Sequence, residues 1–233
     1  AAIALWSYAN GTVPRGNTNY GSSHENKLET ARRSDNGLPG DTSGTARTDT
    51  GKGPATWSHD HTEWGIQDLV GNVWEWLDQM MLDEGQIITT LDNNPAVIEE
   101  NWNKHTAFFD SPTANTEGTG SAGSPVLSNS VTNRNGPVGN DAHEHPTLSN
   151  GHFAAIEKAL DYSKIELLRR LLIESESTTT VGGYISCRNY GNRFPLRGGH
   201  WSTGSNAGLG ALGLNNARSD ANSSFGFRPA FFA

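Results

Sequence analysis

Few side chains in this sequence have the types and spacing that metal or thiol chemistry requires. Two histidine pairs, His59 with His61 and His143 with His145, have the H-x-H spacing that can chelate a metal ion. Neither pair has the helical H-x-x-x-H spacing, and we interpret all four as solvated loop side chains. The single cysteine, Cys187, excludes an internal disulfide and a multi-cysteine zinc site.

The acidic residues and the glycine-rich motifs do not indicate a catalytic site either. The sequence contains neither G-x-S-x-G nor H-E-x-x-H. GTGSAG at residues 118–123 matches the dinucleotide fingerprint, but no predicted strand precedes it and no helix follows, so we do not expect phosphate binding there. Two acidic pairs could be imagined as a glycosidase site, yet their spacing is that of surface acids: Asp78 with Asp83, and Glu99 with Glu100.

The composition narrows the class of protein. The chain has 233 residues, of which 34% are hydrophobic, and 27 glycines and 10 prolines favour short strands and long loops over a helical bundle. A formal charge of −8 argues against nucleic acid or an anionic membrane as partner, since both require a basic patch. No 18-residue apolar run predicts membrane insertion, and no signal peptide is visible at the start.

The hydrophobic patterning predicts a single α+β domain over residues 1–233. We expect a short strand and then turns in residues 1–53, and a hairpin strand in residues 83–94. Residues 103–152 are predicted to form a polar low-complexity insertion on the surface. Apolar residues at spacings of three and four predict one amphipathic helix over residues 153–174. From residue 184 onward, short runs bounded by Gly or Asn predict an antiparallel sheet.

Two segments carry most of the information: GIQDLVGNVWEWLD at residues 65–78 and the C-terminal segment at residues 194–232. Trp74 and Trp76 are two apart and share one face of a strand. Gly71 permits a turn that a Cβ would obstruct. Two arginines beside Gly or an aromatic residue are expected to tie loops to main-chain carbonyls: Arg197 and Arg228.

GNVWEW, followed much later by RGG-x-W and a closing GFR, resembles the formylglycine-generating-enzyme (sulfatase-modifying-factor) branch of the C-type lectin fold. The early PRGNTNYG is similar to the same group. This resemblance implies a C-type lectin fold with antiparallel strands, few helices and long loops. It also implies a structural calcium ion, held by the Asp68 and Glu75 carboxylates and the Gly71 and Val73 carbonyls. Alternatively, Asp68 caps a turn and Glu75 pairs with an arginine.

The enzyme chemistry of that family is not expected here. Formylglycine-generating enzymes use paired cysteines just past the GG-aromatic position, where this chain has STGSNAGLGALGLNNAR. The related iron-dependent sulfoxide synthases use a histidine triad that we do not find. We therefore expect a non-enzyme without a catalytic cofactor; a retained enzyme of the superfamily is the less favoured alternative.

The segment after Trp201 resembles the variable region of proteins diversified by retroelements, of the phage tail or receptor-binding type. In that resemblance R-GG-W, L-x-L, ARS and GFR form a fixed frame. Leu212 and Leu214 are expected to point inward, with Gly213 and Asn215 outward. Each residue between the frame elements is Asn or reachable from an Asn codon by changing adenines only, and these are the predicted ligand-binding positions: His200, Ser202, Thr203, Ser205, Asn206, Gly213, Asn215, Asn216, Asp220, Asn222, Ser223 and Ser224.

The resemblance implies recognition of a protein or glycan on a target-cell surface, by a phage tail or on a bacterial surface. The predicted positions contain no Tyr or Trp, so we expect modest affinity at each site, raised by avidity if several copies are displayed. The oligomeric state is left open. The alternative function is a lectin-like or formylglycine-generating-enzyme-like domain of fixed specificity, without diversification.

Overall fold

The computed structural model describes residues 1–113, 123–136, 149–175 and 181–229. Eleven strands form one sheet in this part of the chain, accompanied by two α-helices and five short 3₁₀ segments. The helices are α1 (Ala2–Asn10) and α2 (Glu166–Arg170). The strands are β1 (Trp74–Trp76), β2 (Met80–Asp83), β3 (Gln86–Thr89), β4 (Asn103–Asp110), β5 (Val126–Ser128), β6 (Ser149–His152), β7 (Glu157–Lys158), β8 (Tyr184–Cys187), β9 (Asn192–Gly198), β10 (Gly208–Asn216) and β11 (Phe225–Gly226).

The sheet is mixed but mostly antiparallel, which gives an α+β, β-rich architecture. Its main path runs β6-β8-β10-β9-β2-β3-β4-β5-β7, while β1 pairs with both β9 and β11. Three pairs are parallel: β10 with β8, β1 with β11, and β5 with β7. The prediction of an antiparallel C-terminal sheet is therefore wrong for two pairs, β8 with β10 and β11 with β1. β8 and β10 are parallel because β9, which lies between them in the chain, pairs with the other side of β10.

β10 lies inside the sheet, between β8 and β9, and is buried from Gly208 to Leu214. Leu212 and Leu214 are completely buried, which confirms that they point inward. Around them the main core gathers apolar side chains from β2 to β5 and β8, such as Leu82, Ile87 and Ile185. The C-terminal segment that carries the predicted ligand-binding positions is thus anchored by the most buried strand of the protein.

The predicted helix over residues 153–174 is wrong. A 3₁₀ turn, the two-residue strand β7 and the five-residue α2 occupy this stretch instead. β7 pairs with β5, so sheet hydrogen bonds replace the helical ones at residues 157–158. Leu160 and Leu168 are two of the apolar residues on which the helix was predicted. Leu160 is fully exposed, whereas Leu168 is completely buried. Tertiary pairing here outweighs local helix propensity.

The predictions for residues 1–152 are confirmed in some places and wrong in others. The first residues form α1 rather than a strand, and this helix ends at Gly11 with a left-handed φ of 68°. The hairpin is confirmed, with β2 and β3 joined by a tight turn at residues 84–85, but its second strand ends at Thr89 and a 3₁₀ turn follows at Leu91–Asn93. Residues 103–152, predicted as a surface insertion, supply β4, β5 and β6 to the sheet.

Several other predictions concern residues that the structure does not describe. Residues 118–122 of the GTGSAG motif lie outside the described residues, and so do His143 and His145. Within the described ranges, no helix combines the length and the apolar character that a bilayer span needs.

Candidate functional site

The sequence motifs PRGN, VGN and RGG lie against one another in the structure, because their glycines let the main chains approach closely. A Cβ on Gly16 would overlap the Val70 carbonyl oxygen, and a Cβ on Gly71 would overlap the Asn17 carbonyl. The N–H of Gly71 donates to the Gly198 carbonyl at 3.0 Å. The φ of Gly71 is 74°, a conformation that glycine adopts without strain. PRGN, VGN and RGG are therefore parts of one scaffold.

Two buried amides hold this junction together, and sequence reasoning missed both. Asn17 donates through Nδ2 to the Ala46 carbonyl at 2.8 Å. Asn72 accepts the Thr48 N–H at 2.8 Å through Oδ1, and its own N–H donates to the Asn17 carbonyl at 2.7 Å. The available signal was the Gly-Asn dipeptide, which occurs in both PRGN and VGN.

The loop that connects β9 to β10 is fixed by main-chain hydrogen bonds. The Trp201 N–H donates to the Asn72 carbonyl at 3.2 Å, and the Trp201 carbonyl accepts the Tyr20 N–H at 2.6 Å. The Gly204 N–H donates to the Thr18 carbonyl at 2.9 Å. These three bonds use no side chain of the loop; within the loop, the Thr203 hydroxyl also accepts the His200 N–H at 2.8 Å.

Most of the predicted ligand-binding positions reach solvent. The exposed ones are Ser202, Ser205, Asn206, Asn222 and Ser223, which we call the variable face. The partly exposed ones are His200, Thr203, Asn215, Asn216 and Asp220. The buried ones are Gly213 and Ser224.

Gly213 was predicted to point outward, and this is wrong. It is buried because β10 has a neighbouring strand on each side, β8 and β9, and Gly213 pairs with Leu196 of β9. A Cβ at Gly213 would nevertheless lie 3.5 Å from the nearest heavy atom, the Leu196 Cβ, which is an ordinary contact. A small side chain therefore fits at this position.

Ser224 belongs to the scaffold rather than to a ligand-binding surface. It is 8% exposed, and its carbonyl accepts the Trp74 N–H at 2.8 Å at the start of β1. Its N–H and its hydroxyl both donate to Asn222 Oδ1 at 3.0 Å. Asn222 thus presents an exposed side chain that also stabilises the turn into β11.

Arg218, in the ARS part of the fixed frame, holds the loop between β10 and β11 in place. The Arg218 guanidinium lies 4.0 Å from the centre of the Phe194 ring and forms an ion pair with Glu99. Asp220 accepts the Ala217 N–H at 2.9 Å through Oδ2. The resemblance assigned Arg218 to the fixed ARS frame, and its contacts with Phe194 and Glu99 give it a reason to be fixed.

The predicted positions divide between two regions of the surface. The loop that contains Trp201 and the turn that ends at Ser224 both attach to the segment 72–74, which brings the variable face together. Asn216 pairs with Phe194 at the other end of β10. Asn215 and Asn216 therefore do not belong to the variable face.

The four predicted calcium ligands do not fit a calcium site as a set. Both carboxylate oxygens of Glu75 accept hydrogen bonds from Arg228, at 2.6 and 3.1 Å. Arg228 also donates to the Gln67 and Asp68 carbonyls, at 3.0 and 3.3 Å, so a guanidinium already supplies the positive charge. These contacts confirm the alternative, in which Glu75 pairs with an arginine. They also confirm that Arg228 ties a loop to main-chain carbonyls.

Asp68 is the most unusual group of this set. Its Oδ2 accepts the Gly51 N–H at 2.7 Å, while its Oδ1 is buried without a hydrogen-bond partner. Burial raises the pKa of this carboxyl above its usual value. Asp68 thus caps a turn, as the alternative predicted. In the parts of the chain that the structure describes, no three His, Cys, Asp or Glu side chains are grouped to share a metal ion.

His59 and His61 are bonded to the fold, and Cys187 is buried within it. His59 accepts the Ile66 N–H at 2.9 Å through Nδ1, and His61 Nε2 lies 3.1 Å from the Val13 carbonyl oxygen. The prediction of solvated side chains is wrong for this pair, because both rings are half-buried and engage the main chain. Burial raises the pKa of the Cys187 thiol, which opposes formation of a thiolate.

Comparison with known proteins adds no relative. No protein-family model matches this sequence. A search of curated proteins found no match either.

Proposed function

We propose that this protein is a non-catalytic recognition protein with a C-type lectin fold, whose variable face binds a ligand on a target-cell surface. It would be a retroelement-diversified variable protein of the formylglycine-generating-enzyme superfamily, carried on a phage tail or a bacterial surface. Its specificity would lie in Ser202, Ser205, Asn206, Asn222 and Ser223, with the partly exposed positions beside them.

One observation carries this proposal: the hydrogen bonds that tie the loop around Trp201 to residues 18, 20 and 72 join main-chain atoms. Its bonds to Thr18, Tyr20 and Asn72 persist whatever side chains stand at Ser202 and Ser205. Exposed substitutions that break no such bond usually change the free energy of unfolding by less than about 0.5 kcal/mol. A surface built this way tolerates many sequences, as diversification requires.

The small polar side chains of the variable face set an expectation for its affinity. It lacks the buried aromatic and arginine anchors that dominate tight interfaces. We therefore expect weak binding by a single copy, strengthened when several copies engage a surface together. A multivalent display is the suitable form in which to search for the ligand.

The test compares two versions of the variable face on one scaffold. Ser202, Ser205, Asn206 and Ser223 are replaced together by Tyr, while Asn222 is kept because it stabilises the turn before Ser224. A matched control places Tyr at two exposed polar positions toward the other end of the sheet from β10, Thr106 in β4 and Glu157 in β7. Each protein is displayed on multivalent particles and screened against glycan arrays and bacterial cells.

We expect the variant to unfold within about 1 kcal/mol of the parent but to bind a different set of targets. The control should keep the parent's targets. An unchanged binding profile, or a loss of the fold, would refute the proposal. Independently, the DNA beside the gene should contain a near-identical copy of the C-terminal coding segment that differs only at adenines, next to a reverse-transcriptase gene.

A further inference from the structure

A cleft of about 560 Å³ opens on a part of the molecule that none of the predicted ligand-binding residues lines. Its walls are largely apolar and come from α1, the segment that follows α2, and the strands β1 and β2. Leucines are the most frequent wall residues: Leu69, Leu77, Leu167, Leu171, Leu172 and Leu209. This volume lies within the range of sites that bind small molecules.

Arg197 lines the same cleft and has no acidic partner. Its Nη2 donates to the main-chain carbonyls of Leu171, at 3.1 Å, and Leu172. Its Nη1 is buried and has no hydrogen-bond partner. Glu75 stands directly across from Arg197 in the pairing of β1 with β9, yet its carboxylate is bonded to Arg228.

This arrangement leaves a positive charge without a counter-ion in largely apolar surroundings. Burial lowers the pKa of Arg197 to about 10, and no neighbouring carboxylate opposes that shift. A desolvated charge destabilises a protein unless an opposite charge or hydrogen bonds compensate for it. The other charged side chains that line the cleft are the paired Glu75 and Arg228, and the exposed Asp78.

We propose that this cleft binds an aliphatic monocarboxylate, with the alkyl chain against the leucine walls and the carboxylate beside Arg197. An alkyl chain of roughly ten carbon atoms suits a site of this size. The carboxylate would supply the counter-ion that the Arg197 guanidinium lacks, and guanidinium groups match carboxylates in geometry. Asp78 would disfavour a second negative charge near the opening, so a monoanion is preferred.

The test uses decanoate as the probe and measures binding by equilibrium dialysis with the whole chain. We expect saturable binding of one decanoate per protein, at least tenfold tighter than decan-1-ol of the same chain length. Leu77→Asp places a charge on a wall residue that is 42% exposed, so the fold should tolerate it. This variant should bind decanoate at least tenfold more weakly, and Leu28→Asp, at a 92% exposed position outside the cleft, should bind as the parent does.

A second variant tests the charge itself. Arg197→Gln should reduce the preference for decanoate over decan-1-ol to less than about threefold, while Arg197→Lys should retain part of it. If Arg197→Gln does not fold, the comparison of the two ligands and of the two leucine variants still decides the matter. Absence of saturable binding, equal affinity for the alcohol, or equal binding by Leu77→Asp would each overturn the proposal.

Discussion

The glycines of β10 look alike in the sequence but meet different surroundings. A Cβ on Gly208 would overlap the Gly182 carbonyl oxygen, and one on Gly210 would lie 2.8 Å from the Val181 side chain. At Gly213 the nearest heavy atom would be 3.5 Å away. Only Gly213 was predicted to be exchangeable, and it is the glycine of these three that has room for a side chain.

We therefore expect Gly213→Ala to change the free energy of unfolding by less than about 1 kcal/mol, since alanine also restricts the unfolded chain. Gly208→Ala should lower it by more than about 2 kcal/mol, because two main chains must separate. Urea unfolding of both variants beside the parent measures the difference. Similar losses for both would show that Gly213 belongs to the fixed frame.

Arg228 and Asp220 lie close together in the sequence but hold different parts of the structure. Arg228→Ala removes hydrogen bonds to Glu75 and to two main-chain carbonyls, and leaves Glu75 without its ion-pair partner. We expect a loss of about 2 kcal/mol in the free energy of unfolding. Asp220→Ala removes the bond to the Ala217 N–H in a partly exposed turn, and we expect a loss of about 1 kcal/mol or less. Thermal unfolding ranks the two, and a larger loss for Asp220→Ala would contradict this assignment.

The pairing of β3 with β4 places a histidine where protonation opposes folding. His105 is 7% exposed, and its Nε2 lies 2.8 Å from the Thr89 hydroxyl across the strand pair. Burial lowers the pKa of His105, whereas the unfolded chain takes up a proton near pH 6.5. The stabilising contribution is complete above about pH 6.5 and is lost as the pH falls toward the lowered pKa of the folded state.

We expect the parent to lose more unfolding free energy between pH 7.5 and pH 5.0 than His105→Gln does. One proton limits the difference to about 1.4 kcal/mol for each pH unit. Urea unfolding at the two pH values measures it, with His152→Gln as a control at an exposed histidine. The same pH dependence in the parent and in His105→Gln would mean that the folded protein accepts a proton at His105.

Strands were predictable where the sequence alternates between turn residues, as in the hairpin of β2 and β3 and in the strands after residue 184. The helix predicted over residues 153–174 failed because Glu157 and Lys158 pair with β5, a partner that lies about thirty residues away in the chain. Helical spacing of apolar residues is a local signal and does not report such a pairing. α1 was missed because AAIALWSYAN lacks both a capping side chain and charged residues at its ends.

The exposed positions of the variable face were predictable because the fixed frame divides them into short segments. The burial of Gly213 and Ser224 was not, because it depends on neighbours brought from β9 and β1. The predicted bonding of Arg197 to main-chain carbonyls is confirmed at Leu171 and Leu172, but its lack of an acidic partner was beyond sequence reasoning. The positions of Arg197, Arg228 and Glu75 in the sequence do not reveal which of the two arginines pairs with the Glu75 carboxylate.

Across the whole molecule, the scaffold and the variable face differ in the bonds that each makes. The scaffold relies on main-chain contacts at glycines and on buried amides such as Asn17 and Asn72. The variable face adds few bonds of its own to that scaffold. Under the proposed function, stability and recognition would be set largely by different residues, so that one could change while the other is kept.

The ion pair between Arg228 and Glu75 predicts how the melting temperature of the whole protein responds to calcium. A calcium site with a Kd of about 10 μM would stabilise the fold by about 2.7 kcal/mol at 1 mM Ca²⁺, and the melting temperature would rise by several degrees. Because Arg228 occupies both oxygens of Glu75, we expect the parent to melt at the same temperature in 1 mM Ca²⁺ and in EDTA. Arg228→Met frees the Glu75 carboxylate beside Asp68 and should make the melting temperature rise with calcium. Stabilisation of the parent itself would mean that calcium displaces the guanidinium and that the predicted ligand set assembles after all.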